Sequence, residues 1–137
     1  MIVLDTNVLS EPLKSIPTPR VIESPDDQAT DTLFMTAISH AELRFEVLKM
    51  PDGRHKNALA AKIEQVLDLF KNRTLDFDAA AADHLARITA DCKKIGRPAM
   101  GPDTFIAAIV AVRDFAVATP HVRHFERLGI SVINPWE

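Results

Sequence analysis

Tyrosine is missing from this chain, and its 137 residues hold one tryptophan and one cysteine. Aromatic residues are 6% of the total, too few for a platform on which nucleic-acid bases stack in series. Cys92 alone cannot close an internal disulfide. Without Cys/His pairs at ligand spacing, structural zinc is not expected either, and a reduced, cytoplasmic setting fits. Long apolar runs are also lacking. The longest, Phe105 to Val112, is too short to span a bilayer, and Asp5 stops the opening Met1-Ile2-Val3-Leu4 before a signal-peptide core can form; neither membrane insertion nor secretion is expected. Nor is there an excess of positive charge: 16 Lys and Arg face 19 Asp and Glu, a net −3, so contact with nucleic acid must rely on local basic patches.

What remains has an ordinary globular composition, 47% hydrophobic and 26% charged. The length suits one domain over residues 1–137, with no internal repeat and no linker. Ile2-Val3-Leu4 reads as a buried strand ended by Asp5-Thr6-Asn7, with Val8 to Leu13 starting a short helix. The proline-rich stretch through Pro12, Pro17, Pro19 and Pro25, with Ser15, Ser24, Asp26 and Asp27, reads as irregular. Leu33 to Thr36 predicts a second strand, Ser39 to Lys49 a helix, Arg54 to Lys71 a long amphipathic helix and Thr74 to Phe77 a third strand. Asp78 is placed to cap an alanine-rich helix that Gly96-Arg97-Pro98 ends. A helix from about Asp103 is apolar on nearly every side and so predicted to be buried. Phe115 to Ala118, Val122 to Arg127 and Ile130 to Ile133 then read as strand, short helix and fifth strand. Continuously apolar strands alternating with helices imply a mostly parallel sheet covered on both faces, an α/β/α sandwich in three layers.

In such a sheet the turns leaving the strand C-termini share one edge, where ligands bind. Three acids map to that edge. Asp5 follows the first strand, Glu42 lies early in the helix after the second, and Asp103 opens the buried helix before the fourth. Each also has a purely structural explanation. Ser39-His40-Ala41-Glu42 matches a capping box, Asp103 could cap its helix or answer its dipole, and Asp5 could be a turn residue. If the three converge, their repulsion calls for a divalent cation, and oxygen donors with open positions suit magnesium.

Ile2-Val3-Leu4-Asp5-Thr6-Asn7, Ala41-Glu42-Leu43-Arg44 and Asp103-Thr104-Phe105-Ile106-Ala107-Ala108 resemble the sequence blocks of PIN domains over nearly the whole chain. Ala118-Thr119, Val122-Arg123-His124-Phe125-Glu126 and Asn134-Pro135-Trp136 resemble, more narrowly, the VapC and FitB toxins of bacterial toxin–antitoxin pairs. That resemblance implies a magnesium- or manganese-dependent endoribonuclease that forms a homodimer and is inhibited by an antitoxin, in an assembly that can be larger than the dimer. It also implies metal ligation by Asp5 and Asp103, help from Glu42 in binding metal or orienting ligands, and support from Thr6, Asn7 and Thr119. Many relatives carry Asp or Asn shortly after the threonine, where this chain has Pro120-His121. His121 would be the substitute ligand, a better match to manganese than to magnesium.

Phosphate contacts are expected from Arg44, Lys93, Lys94 and Arg97, with Arg123 and Arg127 of equal standing, although each could be a solvated surface charge. An antitoxin groove is expected between the Arg54–Phe70 helix and the Leu43–Met50 segment, a face that core packing would equally explain. Three other functions compete. A phosphorylated receiver-like module lacks its acceptor aspartate and its lysine, and an aspartyl phosphohydrolase lacks the second acid that Asn7 replaces. A degenerate PIN module that binds RNA or antitoxin without cutting is the third.

Overall fold

The computed structural model describes residues 1–14, 16–21, 30–99 and 101–137. Three apolar residues at the start, Ile2–Leu4, form the central strand β1 of a five-stranded sheet. It is joined by β2 (Leu33–Thr36), β3 (Thr74–Leu75), β4 (Ala116–Ala118) and β5 (Val132–Ile133), in the order β3-β2-β1-β4-β5 with every neighbouring pair parallel. Parallel strands need crossover connections. These contain the helices α1 (Thr6–Ser10), α2 (Ala37–Leu48), α3 (Arg54–Leu69), α4 (Ala79–Lys94), α5 (Pro102–Arg113) and α6 (Val122–Arg127).

The period of two along each strand divides its side chains between two cores. Leu4, Leu33, Met35 and Ala118 face one way and pack with Val8, Leu9, Leu43, Ile63 and Leu67 from α1, α2 and α3. Val3 and Val117 face the other way and pack with Ala81, Ile106, Ile109, Val110 and Phe125 from α4, α5 and α6. This is the expected α/β/α sandwich. Helix α5 fills its centre, with Ile106 through Val110 fully buried, which accounts for its apolar character all round.

Helix ends follow local chemistry. Asp78 caps α4 by accepting from the Ala81 N–H at 2.9 Å. At the other end of α4, Gly96 at φ 69° lets the Arg97 N–H reach back to the Cys92 carbonyl and its own N–H reach the Lys93 carbonyl, the paired bonds of a Schellman ending. Helix α2 begins two residues before the sequence suggested, because Thr36 is its cap and accepts from the Ser39 N–H at 3.1 Å. The capping box anchored on Ser39 is therefore corrected: Ser39 stands inside the first turn and Glu42 is released for another partner. The strands are shorter than expected, β3 ending at Leu75 and β5 starting at Val132. Of the irregular stretch, the structure gives a 3-10 turn at Glu11–Leu13; the expectations for Ser15, Ser24, Pro25, Asp26 and Asp27 lie outside the described residues.

Phe125, fully buried between α6 and the sheet, is the largest of the fully buried side chains. Phe125→Ala should cost about 3–5 kcal/mol through lost burial and a residual cavity. Chemical denaturation with an unchanged m-value would check it, and a loss under about 1 kcal/mol would contradict the packing described.

Candidate functional site

The strand order runs outward from β1 to β2 and β3, then returns across β1 to β4 and β5, so the chain reverses direction between β1 and β4. Connections leave such a point toward opposite faces and open a crevice at the carboxyl ends of the strands. Asp5 stands at that crevice on the end of β1, and Thr119 on the end of β4. Asp5 is 1% exposed and Thr119 is 0%.

Burying a carboxylate is costly unless its oxygens are bonded, and those of Asp5 are. Oδ1 accepts from the Thr6 N–H at 2.7 Å, and Oδ2 accepts from the Thr119 hydroxyl at 2.7 Å and from the Asn7 amide at 3.2 Å. The same residue caps α1, its carbonyl receiving the N–H groups of Val8 and Leu9. Both explanations of Asp5 therefore hold at once. The helix cap fixes the backbone, and the neighbours fix the carboxylate.

Glu42 lies in the second turn of α2, and its Oε1 accepts from the Thr6 hydroxyl at 2.7 Å; that hydroxyl also stands 2.8 Å from Ser39 Oγ. Asp103 sits in the first turn of α5, half-buried, with Oδ2 3.9 Å from His124 Nε2. Burial raises the proton affinity of Glu42, the Thr6 hydrogen bond opposes that rise, and the charges of Asp5 and Asp103 add to it. Burial likewise raises Asp103, with the Asp5 charge adding to the effect and His121 and His124 working against it. The charge of Asp5 thus bears on both Glu42 and Asp103, and that of Asp103 on Glu42. Among the described residues, no three His, Cys, Asp or Glu side chains are grouped closely enough to hold a metal ion between them.

The donor set still fits a hard divalent cation. It consists of oxygens, it carries uncompensated negative charge, and magnesium keeps several waters while taking only one or two carboxylates. His121 is exposed, with Nε2 3.1 Å from Asn7 Nδ2. The Asn7 nitrogen that donates to Asp5 Oδ2 is the atom that faces His121 Nε2. The imidazole is thus tied to the cluster through Asn7.

The structure moves two expectations. Arg44 is two residues from Glu42, about 200° around the helix, and it pairs instead with Glu64 on α3. Lys93, Lys94 and Arg97 stand exposed at and beyond the end of α4, without hydrogen bonds or ion pairs to the acidic trio among the described residues. The face of α3 carrying Leu59, Ile63, Val66 and Leu67 packs into the first core, and Leu59 and Ile63 also line a concavity of about 360 Å³ with Leu43 and Glu46 of α2. The apolar groove lies across α2 from it, about 710 Å³ lined by Ile38, Ala41, Phe45, Pro102 and Phe105, with Glu42 on its wall. Sequence reasoning passed over Ser39 and His124. The first was hidden by its apparent capping role, and the second by its place within a block read only as a resemblance.

The PIN-domain profile matches residues 2–129, essentially this whole frame. The chain belongs to the PIN-domain family. Among its relatives, the VapC ribonuclease Y4jK of Sinorhizobium fredii is 40% identical over 138 residues, covering 100% of this chain and 99% of that protein. Toxin FitB of Neisseria gonorrhoeae is 38% identical over 137 residues, covering 99% of each chain. The crystal structure of FitAcB from Neisseria gonorrhoeae superposes with a TM-score of 0.93 at 38% identity, covering 100% of this chain and 99% of that one. In this PIN domain, no helix among the described residues is long and apolar enough to cross a membrane.

Because Glu42 and Asp103 hold protons to higher pH when folded than when unfolded, their ionisation opposes folding. The stability present below the unfolded carboxylate range is lost as pH rises through the raised values. Asp103→Asn should therefore melt about 2–4 °C above the wild type in EDTA near pH 7.5. Added Mn²⁺ should raise the wild type more than the variant. A variant that melts lower in EDTA would contradict the shared repulsion.

Proposed function

We propose that this PIN domain, a single unit over residues 1–137, is the toxin of a toxin–antitoxin pair and a metal-dependent endoribonuclease that hydrolyses RNA phosphodiester bonds. The observation that carries the reading is the Asp5 carboxylate, buried at the β1/β4 switch point, fixed by three donors and felt electrostatically by Glu42 and Asp103. The relatives' printed names, ribonuclease and toxin, support it.

Asp5 and Asp103 would hold a Mg²⁺ or Mn²⁺ ion with help from Glu42. Such an ion supplies positive charge for the phosphoryl oxygens and eases deprotonation of water near neutral pH. The side chains do the positioning. Thr119 and Asn7 hold the orientation of Asp5, and Thr6 joins Asp5 to Glu42 by its N–H and its hydroxyl. Thr6 occupies Oε1 of Glu42, leaving Oε2 to take a proton from an attacking water, and the raised proton affinity brings that carboxyl nearer the working pH of a general base. The burial of Asp5 and Thr119 keeps bulk water from competing for these bonds.

The apolar groove between α2 and α5 supports the proposed protein partners, a second copy and an antitoxin. Phe45 is 59% exposed there and Phe105 39%, rings that a partner would cover. The setting proposed is the cytoplasm.

Antitoxin-free protein incubated with total bacterial RNA should give discrete fragments with Mg²⁺ or Mn²⁺ and none in EDTA. Asp103→Asn should lower the cleavage rate at least 100-fold, the order of loss expected when electrostatic stabilisation of a transition state is removed. RNA bound but uncut by the wild type under either ion would replace this reading with the non-cutting PIN module.

A further inference from the structure

Beside the acidic crevice lies a second concavity of about 510 Å³, lined by Pro120, His121, Arg123, His124, Arg127 and Asn134, with Val122 and Glu137 completing its wall. Its charge is opposite to that of the crevice. Arg123 and Arg127 are four residues apart on α6, hence on one face of that helix, and both are exposed. Neither has an ion-pair partner among the described residues, in contrast to Arg44, which is bound to Glu64. Asn134 spends its side-chain oxygen on the Trp136 N–H at 2.9 Å, so the other end of its carboxamide is a donor. The acidic member of the lining is Glu137, exposed at the rim.

Two residues connect this basic hollow to the acids. His124 lines it and stands 3.9 Å from Asp103 Oδ2, and His121 lines it and meets Asn7, itself bonded to Asp5. The hollow and the crevice are therefore adjacent, separated by two imidazoles.

We propose that this hollow is a phosphate subsite for RNA, in which Arg123 and Arg127 bind the non-bridging oxygens of a backbone phosphate flanking the scissile one. Guanidinium forks suit such oxygens, and two at helical spacing can hold one phosphate or two successive ones. The placement addresses an electrostatic problem. A polyanion must approach three carboxylates on a chain of net charge −3, and fixed positive charge beside the crevice holds the strand there without entering the acidic cluster. Of the basic residues from which phosphate contacts were expected, it selects Arg123 and Arg127 on α6. The arginines bind and position the strand; they take no part in proton transfer.

This inference rests on the ribonuclease reading, and its test separates the two. Arg123→Ala/Arg127→Ala is compared with wild type and with Arg54→Ala/Arg87→Ala, a control that removes two exposed arginines elsewhere. Cleavage of a defined RNA at about 0.15 M salt should show KM raised about tenfold or more and kcat within twofold in the α6 variant alone, as expected for loss of binding shared by ground and transition states. In a second arm, a fluorescent 12-nucleotide single strand is titrated by anisotropy against Asp103→Asn protein with and without the α6 substitutions. The slope of log affinity against log salt should fall by about 0.7 for each phosphate that the arginines no longer neutralise.

If wild type cleaves and both KM and salt slope match the control, the subsite is refuted while the ribonuclease reading stands. If wild type fails to cut any RNA but the α6 substitutions still lower the salt slope, the cleavage reading falls and the phosphate subsite survives. A kcat loss without a KM change would refute the subsite by showing that α6 acts through the geometry of the acids.

Discussion

Everything at the candidate site depends on keeping one carboxyl group, that of Asp5, out of water. Left unpaired there, it would take up a proton or destabilise the fold by several kcal/mol. Its three donors come from its own turn, Thr6 and Asn7, and from the end of the neighbouring strand β4, Thr119, 114 residues later. The third bond can exist only when β4 has paired with β1, and that pairing runs through Ile2, Val3 and Leu4 opposite Ala116, Val117 and Ala118. Completion of the sheet and completion of the site are thus one event. The Asp5 N–H, bonded to the Ala118 carbonyl at 3.0 Å, extends the strand ladder into the site itself.

Burial raises the proton affinity of the other two acids most, and the charge of Asp5 adds to it. Glu42 and Asp103 come from helices on opposite faces of the sheet, α2 from the first core and α5 from the second. Each is anchored by apolar packing strong enough to hold a carboxyl where its proton affinity rises. The burial of Leu43 beside Glu42, and of Thr104 and Ile106 beside Asp103, is what sets these acids against Asp5. The stability forgone there is the condition for an electrostatic trap, because a cation entering the crevice is stabilised by the same charges that repel one another without it.

Much of this was legible in the chain. The βα alternation, the buried character of α5, the cap at Asp78 and the stop at Gly96 each have a local cause, and local causes are readable from sequence. The three acids were also readable, since the turn after a parallel strand is a known place for ligands. What was not readable depended on contacts distant in sequence. Ser39-x-x-Glu42 satisfies the capping-box pattern, yet Thr36 takes the cap because the strand delivers the chain into the helix there, and Glu42 turns to Thr6, 36 residues away. The apolar stripe of α3 gives no sign in sequence of whether it meets the core or a partner; in the structure it packs on the core, and its Leu59 and Ile63 also line a concavity with Leu43. The pairing of Arg44 with Glu64 is another contact between residues distant in sequence.

His121 shows how the site tolerates departure from an all-carboxylate set. A fourth acid at this position would add a like charge to a neighbourhood where Asp5 already raises Glu42 and Asp103. The imidazole does the reverse: His121, with His124, works against the rise at Asp103. Its Nε2 also stands 3.1 Å from the Asn7 amide nitrogen that donates to Asp5. The substitution exchanges a direct negative charge for a relay through Asn7, which lowers the repulsion that the fold must absorb without removing an oxygen from Asp5, Glu42 or Asp103. The basic hollow begins where those imidazoles end, so the sign of the surface changes across two side chains. A polyanionic strand held on the positive side would meet the negative side only where a cation can intervene.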